Sequence, residues 1–180
     1  KKVQNNFNFE NPSIHLNDLL KARTLIQNLE DNHWKTIKTK EIDRIIEACA
    51  GLYLEASANT PTSSTNQTID IAIEALNRSN ASIRLDSYSI INKGASMSSG
   101  IVLKPNEKEE IKESVTIPTY LNPTTPYWLN QKGSLGMYKV EDKSLIGKPE
   151  TPRAITVDFN LTINGFSYKT TKDLIYRYSK

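Results

Sequence analysis

Cysteine and histidine are scarce in this chain of 180 residues. The single cysteine, Cys49, excludes an internal disulfide and any metal site built from several thiolates. The two histidines, His15 and His33, fall at opposite ends of one predicted helix, where histidine is usually a surface or capping residue. The motifs of zinc proteases, phosphate-binding loops, dinucleotide folds and serine hydrolases are all missing. The sequence therefore predicts no catalytic residue, no metal ligand and no cofactor within this chain.

Long hydrophobic runs and clustered positive charge are also lacking. No stretch approaches the roughly 20 apolar residues that a membrane-spanning helix needs, so we expect no transmembrane segment. The net charge is +3, from 23 Lys and Arg against 20 Asp and Glu. Most of the basic residues are lysines scattered singly along the chain, whereas nucleic-acid-binding surfaces concentrate them in patches. Nucleic acid is therefore not an expected partner.

Apolar residues at spacings of three and four predict two helices in the N-terminal part. The first spans residues 13–32, with Ser13 or Asn17 as its N-cap. The second apolar series covers residues 42–56, and Thr39 is its predicted cap. We expect the two helices to form an antiparallel hairpin whose apolar faces are buried against further structure.

Beyond a polar connector the apolar residues alternate with a period of two, which is typical of strands. The alternation is cleanest over residues 155–163, and Asn164-Gly165 then predicts a type I′ turn into a returning strand. Glycine and proline also become frequent: one Gly and two Pro precede Asn66, and six of each follow it. The remaining predicted strands cover residues 69–75, 83–90, 100–103, 110–117 and 136–140.

These patterns together predict an α+β fold, with an N-terminal antiparallel helix pair packed on a C-terminal immunoglobulin-like antiparallel β-sandwich. The predicted division is a helical hairpin over 1–60, a polar connector over 61–67 and the sandwich over 68–180. The chain begins at Lys1 without an initiator Met, and a strand pattern still runs near Lys180. We therefore expect it to be part of a longer protein.

One aromatic-rich run, from Tyr120 to Leu129, has two interpretations. It holds Tyr120, Tyr127 and Trp128 beside two prolines, and flat aromatic rings on a stiff loop are suited to stacking on sugar rings. These three residues are the candidate glycan or interface contacts. The alternative is structural: Trp128 and Leu129 would fill the core of the sandwich or its junction with the helices.

Four segments of this sequence carry a further signal: Ile45–Ala56, Pro126–Leu129, Gly136–Val140 and Leu145–Pro152. They resemble a known family, the large bacterial PIG-L (LmbE-like) deacetylases. The resemblance is to the region downstream of the catalytic domain and covers nearly the whole chain. It implies a zinc-dependent N-acetylglucosamine-type deacetylase as the parent protein, with a His-Pro-Asp-Asp metal motif that this chain does not contain. Zinc is therefore expected only in the parent's catalytic domain.

Two functions follow as hypotheses. In the first, the chain is a non-catalytic accessory part of an exported deacetylase, where it supports the catalytic domain of the same parent chain or contacts its glycan. In the second, it is a stand-alone structural or adhesion sandwich that works through protein contacts. The family resemblance, rather than the composition, implies a periplasmic or extracellular location. In both cases we expect the fragment itself not to be an enzyme.

Overall fold

A computed structural model describes residues 1–90 and 96–178 of the chain. The N-terminal part contains three α-helices and one 3₁₀ turn: α1 (Lys2–Asn5), the turn Pro12–His15, α2 (Leu16–Gln27) and α3 (Asn32–Ala50). Seven strands follow: β1 (Leu52–Ala58), β2 (Thr68–Asn77), β3 (Ile83–Ile90), β4 (Met97–Val102), β5 (Lys108–Thr116), β6 (Thr156–Ile163) and β7 (Phe166–Tyr176).

Helix α3 begins and ends at residues with clear local reasons. Asp31 is its N-cap, because the side chain accepts hydrogen bonds from the backbone N–H groups of His33 and Trp34. The predicted cap at Thr39 was therefore wrong. The helix ends at Gly51, which has the left-handed φ of 57° that a helix C-terminus favours in glycine. Residues 52–56 were predicted to continue the helix, but they form most of β1 instead.

The predicted fold class was wrong. The seven strands form one curled mixed sheet in the order β4-β3-β6-β7-β1-β2-β5, and there is no antiparallel sandwich of immunoglobulin type with a helix pair on it. The sheet is mixed and continuous because β1 is hydrogen-bonded in parallel to β7, with Ala56 opposite Leu174. All other neighbouring strands are antiparallel. Since β1 lies in the segment predicted to be helical, the sequence pattern concealed the strand that joins the two parts of the sheet.

The concave face of the sheet holds the hydrophobic core. Every second residue of β6 is buried, as its alternation predicted, and these side chains face those of β3 and β7 in register. The Asn164-Gly165 turn between β6 and β7 has positive φ at both residues, 48° and 83°, as a type I′ turn requires. The largest fully buried side chains of the sheet are Tyr168, Phe159, Ile71, Ile73, Ile83, Leu85, Leu161 and Ile163.

The curl brings two strands from near opposite ends of the sheet order into contact. The hydroxyl of Tyr88 on β3 donates a hydrogen bond to a carboxylate oxygen of Glu113 on β5. Burial, together with this carboxylate, raises the pKa of Tyr88 to about 12, so the hydroxyl keeps its proton at neutral pH. The contact crosses the concave side and holds the sheet in its curled form.

Helices α2 and α3 pack on each other and on β7. The carboxylate of Glu47 on α3 accepts hydrogen bonds from three residues of β7: Tyr168 Oη at 3.2 Å, Thr170 Oγ1 at 2.8 Å and Lys172 Nζ at 2.6 Å. Arg23 on α2 lies over the Tyr168 ring, 4.9 Å from its centroid. The helices are thus fixed to the sheet by a polar network beside the apolar core.

Within residues 1–90 and 96–178, no helix has both the length and the apolar character needed to cross a membrane.

Candidate interaction segment between β5 and β6

The longest connection between consecutive strands runs over residues 117–155, between β5 and β6, and is called the β5–β6 segment below. Its regular structure consists of two 3₁₀ turns, Tyr127–Leu129 and Lys143–Leu145. All three candidate contact residues, Tyr120, Tyr127 and Trp128, lie in it. Loops of this length are uncommon within a compact domain, where they are usually either functional segments or linkers.

Tyr127 is the residue that organises this segment. Its ring is buried, and its hydroxyl donates to the backbone carbonyl of Lys148 at 3.1 Å. Its backbone N–H donates to the hydroxyl of Thr151 at 3.0 Å, and that hydroxyl donates in turn to the carbonyl of Thr125 at 3.0 Å. These bonds tie the two ends of the segment together, so Tyr127 is held in a structural role.

The structure brings two of the three candidate aromatic residues into contact. The Trp128 ring is half-buried and packs edge-to-face on Tyr127, with the ring centroids 4.8 Å apart. Tyr120 is exposed, at 57% of its surface. Leu129, the second predicted core residue, is also exposed, at 56%. The buried aromatic residue of this run is therefore Tyr127, whereas the structural interpretation placed Trp128 in the core.

Exposed apolar side chains concentrate in the β5–β6 segment. Fourteen large hydrophobic residues of the described chain are exposed, and six of them lie here. A single exposed apolar residue is ordinary on a protein surface, but a cluster within one segment is typical of an interaction site. The six are Tyr120, Leu129, Leu135, Met137, Tyr138 and Ile146.

The far end of the segment is an ordered turn. Ser134 and Met137 exchange two backbone hydrogen bonds, of 3.0 and 3.2 Å, around Leu135 and Gly136. Gly136 has a φ of 78°, which favours glycine, and a Cβ added to Gly133 would lie only 2.7 Å from the Met137 carbonyl oxygen. The turn presents Leu135 at its apex with its side chain fully exposed. The strand predicted over 136–140 was wrong, since only an isolated bridge forms here.

Four exposed lysines surround these apolar side chains: Lys132, Lys139, Lys143 and Lys148. None of them forms an ion pair within the described part of the chain. The neighbouring carboxylate of Asp142 is engaged locally: the hydroxyl of Ser144 and its backbone N–H, the latter at 2.9 Å, both lower the pKa of Asp142. The segment thus combines exposed apolar side chains with exposed lysines that form no ion pair among the described residues.

Outside this segment, His15 and Cys49 are buried within the fold and have structural roles. His15 is buried; its Nε2 accepts the backbone N–H of Asn8 at 3.0 Å, and its ring stacks on Phe7. Cys49 is buried too, and desolvation raises the pKa of its thiol. Over residues 1–90 and 96–178, no three His, Cys, Asp or Glu side chains are grouped so as to hold a metal ion.

No known family matches this chain. A search of curated proteins also gives no match. Among solved structures, the chain is similar to Spo0M, a sporulation control protein from Bacillus subtilis, with a TM-score of 0.36 and 9% identity over 71% of this chain and 50% of that one. It is also similar to the alkylpurine DNA glycosylase AlkC from Pseudomonas fluorescens, solved bound to DNA containing an abasic site analog.

The second similarity has a TM-score of 0.31 and 12% identity, over 91% of this chain and 46% of that one. The chain therefore spans about half the length of each of these two proteins. Both TM-scores are too low to support a conclusion about fold or function.

Sequence reasoning found the aromatic part of the segment and missed its far end. The turn at 134–137 contains only one strongly apolar pair, Leu135 and Met137, separated by a glycine. A signal was nevertheless present: residues 117–155 combine large apolar residues with no period of two or of 3.6, so no helix or strand can bury them together.

Proposed function

We propose that this chain is a non-catalytic accessory module that binds a protein partner through its β5–β6 segment. The observation that carries the proposal is the cluster of exposed apolar side chains at the far end of the segment, held by the ordered turn at 134–137. A surface that presents Leu135, Met137 and Tyr138 together is costly in water and becomes favourable once it is covered.

The partner we propose is the catalytic domain of a PIG-L-like deacetylase in the same parent protein. The family resemblance motivates this choice, because three of the four similar stretches fall in the β5–β6 segment. Their residues include most of the exposed apolar side chains, and a resemblance concentrated on surface residues favours a shared contact over a shared core. An exported location belongs to the same proposal.

The expected contribution of these side chains to the binding free energy follows from the apolar area that a partner would cover. Full burial of one large apolar side chain contributes about 1.5–3 kcal/mol, and a few such residues at the centre of an interface usually dominate its affinity. The unpaired lysines around them would favour a partner surface that carries carboxylates. Such contacts at the rim act mainly on the association rate and its dependence on salt.

The test is a titration of the whole 180-residue chain with the separately expressed catalytic domain, followed by isothermal calorimetry. The double variant Leu135→Ser with Met137→Ser should weaken binding at least tenfold, because each substitution removes an apolar side chain that the bound partner would cover. The matched control is Leu25→Ser on α2, which is 71% exposed and lies outside the segment. It should leave the dissociation constant unchanged.

Two results would overturn the proposal. One is the absence of binding between the wild-type chain and the catalytic domain. The other is equal weakening by the double variant and by the Leu25 control. Reading the gene upstream of the codon for Lys1 adds an independent check, since a His-Pro-Asp-Asp motif is expected there.

A further inference from the structure

A second feature, separate from the exposed turn, is a cleft of about 790 Å³ at one end of the sheet. It lies between the connector at 60–65, the two ends of the β5–β6 segment at 121–124 and 153–155, and the end of the chain at 174–178. Its volume is within the range of small-molecule binding sites, which is about 300–1,000 Å³.

The lining of the cleft divides into an apolar floor and a polar rim. Ile69, Ile117 and Leu174 belong to the floor and are at least partly buried. The rim carries hydroxyl and amide groups, and four of these side chains have no hydrogen-bond partner in the described part of the chain. They are Ser63, Thr65, Asn122 and Thr124.

Two tyrosines add flat surfaces to the cleft. Tyr176 and Tyr178 both line it, and their rings are packed edge-to-face with centroids 4.9 Å apart. Tyr176 is half-buried at the end of β7, whereas Tyr178 is 82% exposed. The inner ring thus supports the outer one and leaves the face of Tyr178 accessible to a ligand.

The electrostatics of the cleft favour an uncharged ligand. No carboxylate or lysine lines it among the residues that the structure describes, and its single charged side chain is Arg153. That guanidinium is paired with Glu150 at 3.2 Å, so its charge is already balanced. The described lining thus offers a cation no carboxylate, and its one guanidinium already has a carboxylate partner.

The backbone around the cleft disfavours an extended peptide. Peptides commonly bind by adding a strand to a free sheet edge. Three strands reach this cleft, and each is paired there: β1 with β7 at Ala58 and Tyr176, and β2 with β5 at Ile69 and Val115. The cleft therefore offers side-chain hydroxyls, an amide and aromatic faces instead of a backbone edge.

We propose that this cleft binds an uncharged oligosaccharide. One sugar ring would lie on the face of Tyr178, and its hydroxyl groups would exchange hydrogen bonds with Ser63, Asn122 and Thr124. The proposal does not rest on the function proposed above, because Leu135 and Met137 do not line the cleft. It also replaces the earlier candidate sugar contact at Tyr127, whose ring is buried and whose hydroxyl is bonded to Lys148.

The experiment is a set of calorimetric titrations of the whole chain with cellotetraose, xylotetraose, chitotetraose and, as an anionic comparison, tetragalacturonate. Binding of at least one uncharged tetrasaccharide is expected. Tyr178→Ala should weaken it about tenfold, which corresponds to the loss of one aromatic contact. The matched control is Phe9→Ala, because Phe9 is 87% exposed, packs edge-to-face on Phe7 with ring centroids 4.9 Å apart, and lies outside both the cleft and the β5–β6 segment. It should change neither sugar affinity nor melting temperature.

Three outcomes would overturn the proposal: no binding of any uncharged tetrasaccharide, equal weakening by Tyr178→Ala and Phe9→Ala, or binding of tetragalacturonate alone. Asn122→Ala separates a cleft contact from a nonspecific aromatic one, because Asn122 is exposed and its loss should not affect folding. Reduced sugar affinity in this variant at an unchanged melting temperature supports the proposal, and unchanged affinity counts against it.

Discussion

Replacing Glu47 by alanine tests whether α3 is held to the sheet by its polar network. The carboxylate is 19% exposed and accepts three hydrogen bonds from β7. Hydrogen bonds to a charged group contribute about 1.5–3 kcal/mol each, but these three share one acceptor and are not additive. Lys172 is 29% exposed and can turn to water, whereas the Tyr168 hydroxyl keeps only the Asp43 carbonyl at 3.4 Å. We expect Glu47→Ala to lower the free energy of unfolding by about 2–4 kcal/mol.

Urea denaturation followed by tryptophan fluorescence and circular dichroism measures this loss. Glu47→Gln keeps one acceptor oxygen and should cost only about 1 kcal/mol. The control is Glu41→Ala on the same helix, whose carboxylate is 55% exposed and pairs with Lys38; it should change stability by less than about 0.5 kcal/mol. The reasoning fails if Glu47→Ala is no more destabilising than Glu41→Ala, or if Glu47→Gln costs as much as Glu47→Ala.

Three further predictions have defined outcomes. Gly51→Ala should cost about 1–2 kcal/mol in urea denaturation, because φ is 57° and no free space accepts a Cβ; an unchanged midpoint would contradict this. Tyr127→Ala should destabilise by about 3 kcal/mol and Trp128→Ala by about half that, since Tyr127 is the buried ring; the reverse order in thermal denaturation would show that Trp128 is the anchor. Hydrogen bonds from a threonine hydroxyl and an arginine lower the pKa of Asp86 in the folded protein, so its stabilising contribution is present above the unfolded value near 3.8 and is lost as pH falls through the folded value. The drop in urea midpoint between pH 6 and pH 2 should be smaller in Asp86→Asn, and an identical drop would refute this assignment.

The parts of the fold that were predicted correctly are helices and strands with a single buried face. Residues 155–163 and their Asn164-Gly165 turn are in this group, because a period of two and two positive-φ residues are local properties. Residues 52–58 are not in it: their apolar positions fit a helix as well as a strand, and pairing with β2 and with the distant β7 decides between the two. The sheet topology was therefore mispredicted at β1, which pairs with the strand farthest away in the sequence.

The candidate site was predictable to a similar extent. The run from Tyr120 to Leu129 was found because aromatic residues and prolines are visible in the sequence. Which ring is buried depends on the carbonyl of Lys148, 21 residues away, and no local pattern shows that contact. The cleft beside Tyr178 was missed for the same reason, since its lining comes from four separate segments.

The parallel pairing of β1 with β7 also constrains how the chain is made. During synthesis β1 leaves the ribosome early, whereas its partner follows only after all the other strands. At roughly 5–20 residues per second, the nascent strand waits on the order of ten seconds with one edge unpaired. An unpaired strand edge is a site where chains join each other and aggregate. The helix that precedes β1 shares this delay, because the Glu47 contact to Lys172 spans 125 residues. Yield in cells should therefore depend on translation speed and on chaperones that bind the N-terminal third while it waits.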